Sequence, residues 1–198
     1  MIPFYAVIRR LRHIKRWQLM RQNDEENVAE HSFEVAILAH ALAIIRRDIL
    51  QLPCPDPSAV LEVALFHDVS ECLTGDLPTP VKYYNQELQD AYQALEKQAE
   101  QRLIRLLPAE LQATYQEALQ PEDPELCRLV KLADTLSAYL KAREEVASGN
   151  VEFKSAEKNL WDKLEARQSP ELDYFLRECL PAYSRSLDEL SREAEINF

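Results

Sequence analysis

The stretch ALFHDVSECLTGD, residues 64–76, decides how the chain is read. Ala64, Leu65, Phe66, Val69, Cys72 and Leu73 give it the texture of a buried helix, yet His67, Asp68, Glu71 and Asp76 are set among them. A buried carboxylate without a partner takes up a proton, because losing its hydration is costly. The segment therefore needs compensating groups from elsewhere in the chain.

On a helix, positions i and i+4 share a face, so His67 and Glu71 lie one above the other and Asp68 sits one turn before Glu71. His67 and Asp68 are about 100° apart around the axis, and a point both can reach lies on the flank between them. Two further segments offer groups of the same kind. NVAEHSFEVAILAHAL (27–42) places His31 on the stripe of Val35, Leu38 and Leu42, and LVKLADTLSAYL (129–140) sets Asp134 between Val130 and Ala138. Taken singly, His31 reads as a hydrogen-bonded core histidine and Asp134 as a partner for Lys131 or Lys141. Taken together, two imidazoles and two carboxylates from three helices make an N₂O₂ site for a borderline divalent ion. Coordination satisfies buried carboxylates and histidines at once.

The rest of the chain is consistent with an all-α protein. Only two glycines, Gly75 and Gly149, occur in 198 residues, which disfavours hairpins and glycine-rich phosphate loops. Apolar residues recur at helical spacing, as at Phe4, Ile8, Leu11 and Ile14, and prolines punctuate the pattern. The spacing predicts about eight helices, near 3–20, 28–50, 57–74, 82–107, 108–119, 123–148, 151–168 and 170–194, in a single-domain bundle over residues 1–198.

A net charge of −11 argues against a nucleic-acid polymer as partner, since a run of phosphates requires clustered Lys and Arg. A small anionic substrate needs only one or two local cations. Cys54, Cys72, Cys127 and Cys179 form no C-x-x-C pair and read as reduced core residues. The basic first twenty residues lack a signal peptide's apolar block, and the longest apolar run, Val35 to Ile45, is too short to span a bilayer. The expected location is the cytoplasm, with no membrane partner. His40 faces away from His31 and reads as structural; His13 reads as solvated. The acidic stretches Asp24-Glu25-Glu26 and Glu144-Glu145 read as solvent faces.

The order His31, His67–Asp68, Asp134 resembles the signature of the HD-domain metal-dependent phosphohydrolases. The words IKRWQLMRQNDEENVAEHS (14–32), LFHDVSECLTGDLPTPVKYY (65–84) and LVKLADTLSAYLK (129–141) are most similar to the bacterial HD-domain 5′-deoxynucleotidases. That resemblance implies one divalent transition metal, such as cobalt or manganese, on His31, His67, Asp68 and Asp134. It implies that Glu71 handles a proton, that Arg16 orients the phosphate, that Trp17 lies against the deoxyribose, and that Asp76, Leu77, Pro78 and Thr79 line the sugar pocket. It also implies a homodimer acting on a small deoxynucleotide.

The chemistry agrees with this. A bound metal lowers the pKa of its water from about 15.7 toward roughly 7, and a placed acid such as Glu71 exchanges protons with that water or with the leaving O5′. Two other functions compete: an HD-type hydrolase of nucleoside triphosphates or signalling nucleotides, and a non-catalytic helical protein with a structural metal site.

Overall fold

The long second helix organises the molecule. Asn27 starts it with a capping box, its side chain accepting from the Ala29 and Glu30 N–H groups while the Glu30 carboxylate accepts from the Asn27 N–H. The computed structural model describes residues 1–196, and their side chains as far as Arg192; residues 197 and 198 of the expected domain lie outside the described residues.

The elements are α1 (Phe4–Ile8), α2 (Val28–Ile44, prolonged by a π turn Ile45–Ile49), α3 (Pro57–Phe66), α4 (Glu71–Thr74), α5 (Thr79–Lys82), α6 (Gln86–Ile104), α7 (Ala109–Leu119), α8 (Pro124–Ala147), α9 (Lys154–Glu165), α10 (Pro170–Glu178) and α11 (Leu187–Ile196). Among the described residues there is no strand, only an isolated antiparallel bridge between Lys15 and Asn27. Asp56 and Asp123 cap α3 and α8, each followed by a proline at the first helical position, where the missing N–H has no intrahelical partner to lose.

Helix α2 packs between α3 and α8. Leu38, Ala39 and Leu42 meet Val60, Ala64, Leu129, Leu132, Leu136 and Leu140 in the main core. A second cluster gathers Phe4, Val69, Leu103, Ile104 and Leu119. By length and composition Val28–Ile49 is apolar enough to cross a membrane, but more than half of its most apolar stretch is buried inside the protein. Packing against neighbours on several sides accounts for that apolarity.

Four expected helices are broken, and two of the breaks shape the site. The expected helix over 3–20 ends in a 3₁₀ turn at His13. Ile14 is extended, and the chain folds back on itself: the Arg16 N–H donates to the Glu26 carbonyl at 2.9 Å and the Val28 N–H to the Ile14 carbonyl at 3.0 Å. Trp17 takes a φ of 56°, which a right-handed helix does not permit.

The expected helix over 57–74 tightens after Phe66. Val69, Glu71 and Cys72 N–H groups donate three residues back, to Phe66, Asp68 and Val69, before α4 resumes. The regular one-turn stacking of His67 on Glu71 is therefore replaced by a tight turn that carries the His-Asp pair. Elsewhere, Asn85 caps a new start at α6, and the final expected helix breaks between α10 and α11 around Pro181. The four cysteines are free and half-buried rather than fully in the core.

Candidate metal centre and active site

Three elements deliver the site: His31 from the first turn of α2, His67 and Asp68 from the turn after α3, and Asp134 from the middle of α8. His31, His67 and Asp134 each offer one ligand atom, all within 4.8 Å of one another. His31 Nε2 lies 3.1 Å from Asp134 Oδ1, and Asp68 Oδ2 lies 3.6 Å from His31 Nε2 and 3.1 Å from His67 Nε2. Of the four residues that the sequence pattern singles out, His31, His67 and Asp134 are thus brought to one point, with Asp68 beside both rings.

What lies behind the two rings matters as much. His67 Nδ1 is 2.7 Å from the Ala64 carbonyl, so its proton sits on that nitrogen and Nε2 faces the site. His31 Nδ1 is 3.1 Å from Ser137 Oγ, whose hydroxyl donates to Glu34 Oε2 at 2.6 Å. Both histidines are thereby oriented from behind, as metal-ligating imidazoles generally are. His67 Nε2 is buried and, despite the nearby Asp68, makes no aligned hydrogen bond. A buried ring nitrogen without a partner, aimed at two carboxylates, fits a divalent cation.

Burial and neighbouring charge oppose each other at these groups. Burial works against the charged form of His67, but the negative charge of Asp68 close by outweighs it and raises the imidazole to about 9. Burial alone would raise Asp68; His67, His31 and Arg16 instead hold it well below the usual carboxylate range. Asp134 is likewise lowered, with His31 outweighing burial. A cation must displace a proton to occupy this centre.

Glu71, 7% exposed at the start of α4, is pushed up to about 9 by burial and by the charges of Asp68 and Asp76. Its Oε2 has no hydrogen-bond partner. Arg16 donates from Nε to Glu26 Oε2 at 3.0 Å and from a terminal nitrogen to Asp68 Oδ2 at 3.4 Å. Trp17 Nε1 also donates to Glu26 Oε2 at 3.0 Å, and its ring tilts against Phe153 with centroids 5.2 Å apart. The turn Asp76–Thr79 follows α4, and the Gln18 side chain donates to the Asp76 carbonyl at 3.2 Å, tying this turn to the Trp17 loop. Asp76, Leu77 and Pro78 are half-buried and Thr79 is exposed. Lys82 is engaged with Glu96 at 2.9 Å. A cleft of about 710 Å³ runs along the Lys15–Gln22 loop, and Arg16, which also contacts Asp68, is among its lining residues.

The two acidic stretches are solvent faces only in part: Asp24, Glu25 and Glu144 are exposed as expected, but Glu26 and Glu145 are turned inward. Glu26 holds Arg16 and Trp17, and Glu145, 2% exposed, accepts from Lys141, Asn150 and the Asn23 and Asp24 N–H groups. A run of like charges hides such partners, nine and ten residues away for Glu26 and more than a hundred away for the Asn23 and Asp24 N–H groups on Glu145. Ser137 and Glu34 were also missed, although each lies three residues beyond an expected ligand, on the same helical face as Asp134 and His31 respectively.

A helical bundle that gathers a histidine, a His-Asp pair and a distant aspartate around one point is the architecture of the HD-domain phosphohydrolases. The family model described as 5′-deoxynucleotidase YfbR-like matches residues 3–183, and the chain belongs to that family. It is 45% identical to a 5′-deoxynucleotidase of Cronobacter sakazakii over 197 residues, covering 98% of each chain. It is 44% identical to one of Vibrio atlanticus, covering 95% of this chain and 97% of that one. Among solved structures, an HD-domain phosphohydrolase from Listeria innocua superposes with a TM-score of 0.78 at 26% identity, covering 98% of both chains. The cyanophage S-2L HD phosphohydrolase DatZ, bound to dA and one catalytic Zn²⁺ ion, shares the fold at a TM-score of 0.66 and 24% identity, covering 91% and 96%.

Proposed function

We propose that His31, His67, Asp68 and Asp134 hold one divalent transition metal in a 5′-deoxynucleotidase, which splits deoxyribonucleoside 5′-monophosphates into deoxyribonucleoside and phosphate. The observation that carries the metal set is the unpartnered, buried His67 Nε2 lying 3.1 Å from Asp68 Oδ2, beside the His31–Asp134 pair. Mixed nitrogen and oxygen donors suit ions such as cobalt and manganese. When bound, such an ion supplies a water of lowered pKa and offsets phosphate charge.

The chain's own groups do the rest. Arg16 binds the phosphate, exchanging its long 3.4 Å contact with Asp68 for a charge-assisted bond to a phosphate oxygen. Glu71, buried and with a free oxygen, holds and moves the proton at the reacting centre, either at the attacking water or at the leaving O5′. Trp17 closes the space beside C2′, and the turn Asp76–Thr79 lines the sugar, with the Asp76 carboxylate placed to accept from the 3′-hydroxyl. A wall at C2′ selects deoxyribose by excluding the extra hydroxyl.

The chain acts as one HD-type domain over 1–198, as a homodimer in the cytoplasm, with neither nucleic-acid polymers nor membranes as partners. Four free thiols suit a reducing compartment. The decisive experiment removes metal with a chelator, restores single divalent ions and assays phosphate release. Turnover of deoxynucleoside monophosphates alone supports the proposal. Turnover confined to triphosphates overturns it, and so does absent turnover with a large metal-dependent gain in stability. Light scattering in solution tests the dimer.

A further inference from the structure

One carboxylate oxygen joins the two side chains that would read the phosphate and the sugar. Glu26 Oε2 accepts from Arg16 Nε and from Trp17 Nε1, both at 3.0 Å, and the Glu26 side chain is only 11% exposed. The backbone repeats the link, since the Arg16 N–H donates to the Glu26 carbonyl at 2.9 Å. Gln22 braces it, donating to the Arg16 carbonyl at 2.8 Å and accepting from the Glu26 N–H at 3.4 Å.

This arrangement has consequences for both donors. With Nε held from behind, the guanidinium plane is fixed and its terminal nitrogens face Asp68 and the centre. Trp17 sits at a φ of 56°, which a bulky residue keeps only where its surroundings enforce it. The tip of the same loop is clamped to α8, where Glu145 accepts from the Asn23 and Asp24 N–H groups and Asn150 donates to the Arg21 carbonyl at 2.8 Å. The loop is thus a braced hairpin, with Glu26 at the point where its two arms meet.

We propose that Glu26 is a positioning residue that locks the Arg16 guanidinium and the Trp17 indole to each other, so that phosphate and deoxyribose are recognised as one unit. This rests on Arg16 meeting the phosphate and Trp17 the sugar. Removing Glu26 frees both at once, whereas removing either partner alone leaves the other held.

The test uses the metal-loaded full chain and steady-state kinetics on deoxy- and ribonucleoside monophosphates, with Glu26→Ala, Glu26→Gln, Arg16→Ala, Trp17→Ala and the double variant Glu26→Ala with Arg16→Ala. Glu26→Ala should raise KM about tenfold or more, as loss of a charge-assisted hydrogen bond does. It should change kcat less than KM, erode the deoxy preference and leave metal content unchanged. Glu26→Gln, which keeps an acceptor oxygen, should restore part of both KM and sugar preference. The double variant should be hardly worse in KM than Arg16→Ala alone, because Glu26 acts through Arg16 there. Unchanged KM and sugar ratio in Glu26→Ala, while Arg16→Ala and Trp17→Ala keep their effects, overturns the role of Glu26 alone. Unchanged constants in Arg16→Ala and Trp17→Ala overturn the site assignment and the role of Glu26 with it. Should Glu26→Ala not fold, Glu26→Gln decides by the same two readouts.

Discussion

His31 and His67 stand edge to face with ring centroids 5.3 Å apart, each with its Nδ1 engaged behind it, and Asp68 Oδ2 within 3.6 Å of one Nε2 and 3.1 Å of the other. Neither ring is free to turn. A cation entering this centre displaces a proton but meets imidazoles already oriented, so the ordering cost of binding is met by the fold.

The first prediction concerns the support behind His31. Ser137 is fully buried and links that ring to Glu34. Ser137→Ala removes the acceptor for the Nδ1 proton and leaves Glu34 without its donor. Metal affinity should fall about 10–100-fold, the range seen when outer-shell partners of metal ligands are removed. Competition against a chromophoric chelator measures this without any assay of activity. Glu34→Gln should shift affinity the same way by less. Unaltered affinity in Ser137→Ala would show that packing alone orients His31.

Glu71 separates holding the metal from using it. Glu71→Ala should retain the ion, since the four proposed ligands remain, yet lose turnover by about 10²–10⁴-fold, the usual contribution of a placed proton carrier. Asp68→Ala should lose both metal and turnover. Metal content by elemental analysis beside kcat decides, and a Glu71→Ala enzyme that kept most of its activity would remove Glu71 from the reaction.

The convergence of His31, His67, Asp68 and Asp134 was legible because its signal is chemical: ionisable residues stand on apolar stripes, and only convergence satisfies them. The all-α class was legible from periodicity and the scarcity of glycine. The breaks were not. His67–Ser70 carry no glycine or proline, so nothing local announces that the helix tightens there, and only the long-range placement of the His-Asp pair explains it. The loop over 14–27 contains good helix formers, and its hairpin is imposed by Glu26 and by Glu145 on α8, more than a hundred residues away. Such contacts leave no trace in local pattern.

Gly75 is a position where the backbone itself is the constraint. It ends α4 at a φ of 75° and a ψ of 163°, its N–H donating to the Glu71 carbonyl at 2.8 Å and its carbonyl accepting from the Tyr92 hydroxyl at 3.1 Å. Open space surrounds a Cβ placed there, so the penalty of Gly75→Ala is purely conformational. Stability should fall by about 1–3 kcal/mol, read by denaturant unfolding. Because this turn joins Glu71 to Asp76, KM should rise as well. An undiminished stability would mean that the turn adopts another backbone path without cost.

The acid limit of stability should be governed in part by Glu145. Burial would raise this carboxyl, but Lys141, Asn150 and the N–H groups of Asn23 and Asp24 outweigh it and bring it from 4.5 down to about 2. A carboxyl whose pKa is lower in the folded chain than in the unfolded one stabilises the fold fully above the unfolded value. That contribution is lost as pH falls from about 4.5 toward 2, because in this window the unfolded chain takes up a proton at Glu145 while the folded chain keeps the carboxylate ionised. Asp68, Asp134 and Glu171 are lowered too and act in the same direction, so the wild-type curve alone does not isolate Glu145. Glu145→Gln does, because the amide keeps an acceptor for the loop N–H groups but cannot titrate. The variant should be less stable than the wild type at pH 7, where Lys141 loses its buried partner, and the gap between the two should narrow as pH drops through this window. Urea unfolding of both proteins at steps between pH 7 and the acid limit measures that gap. A constant difference across the window would mean that Glu145 is not the group holding the Asn23–Asp24 tip to α8 by its charge.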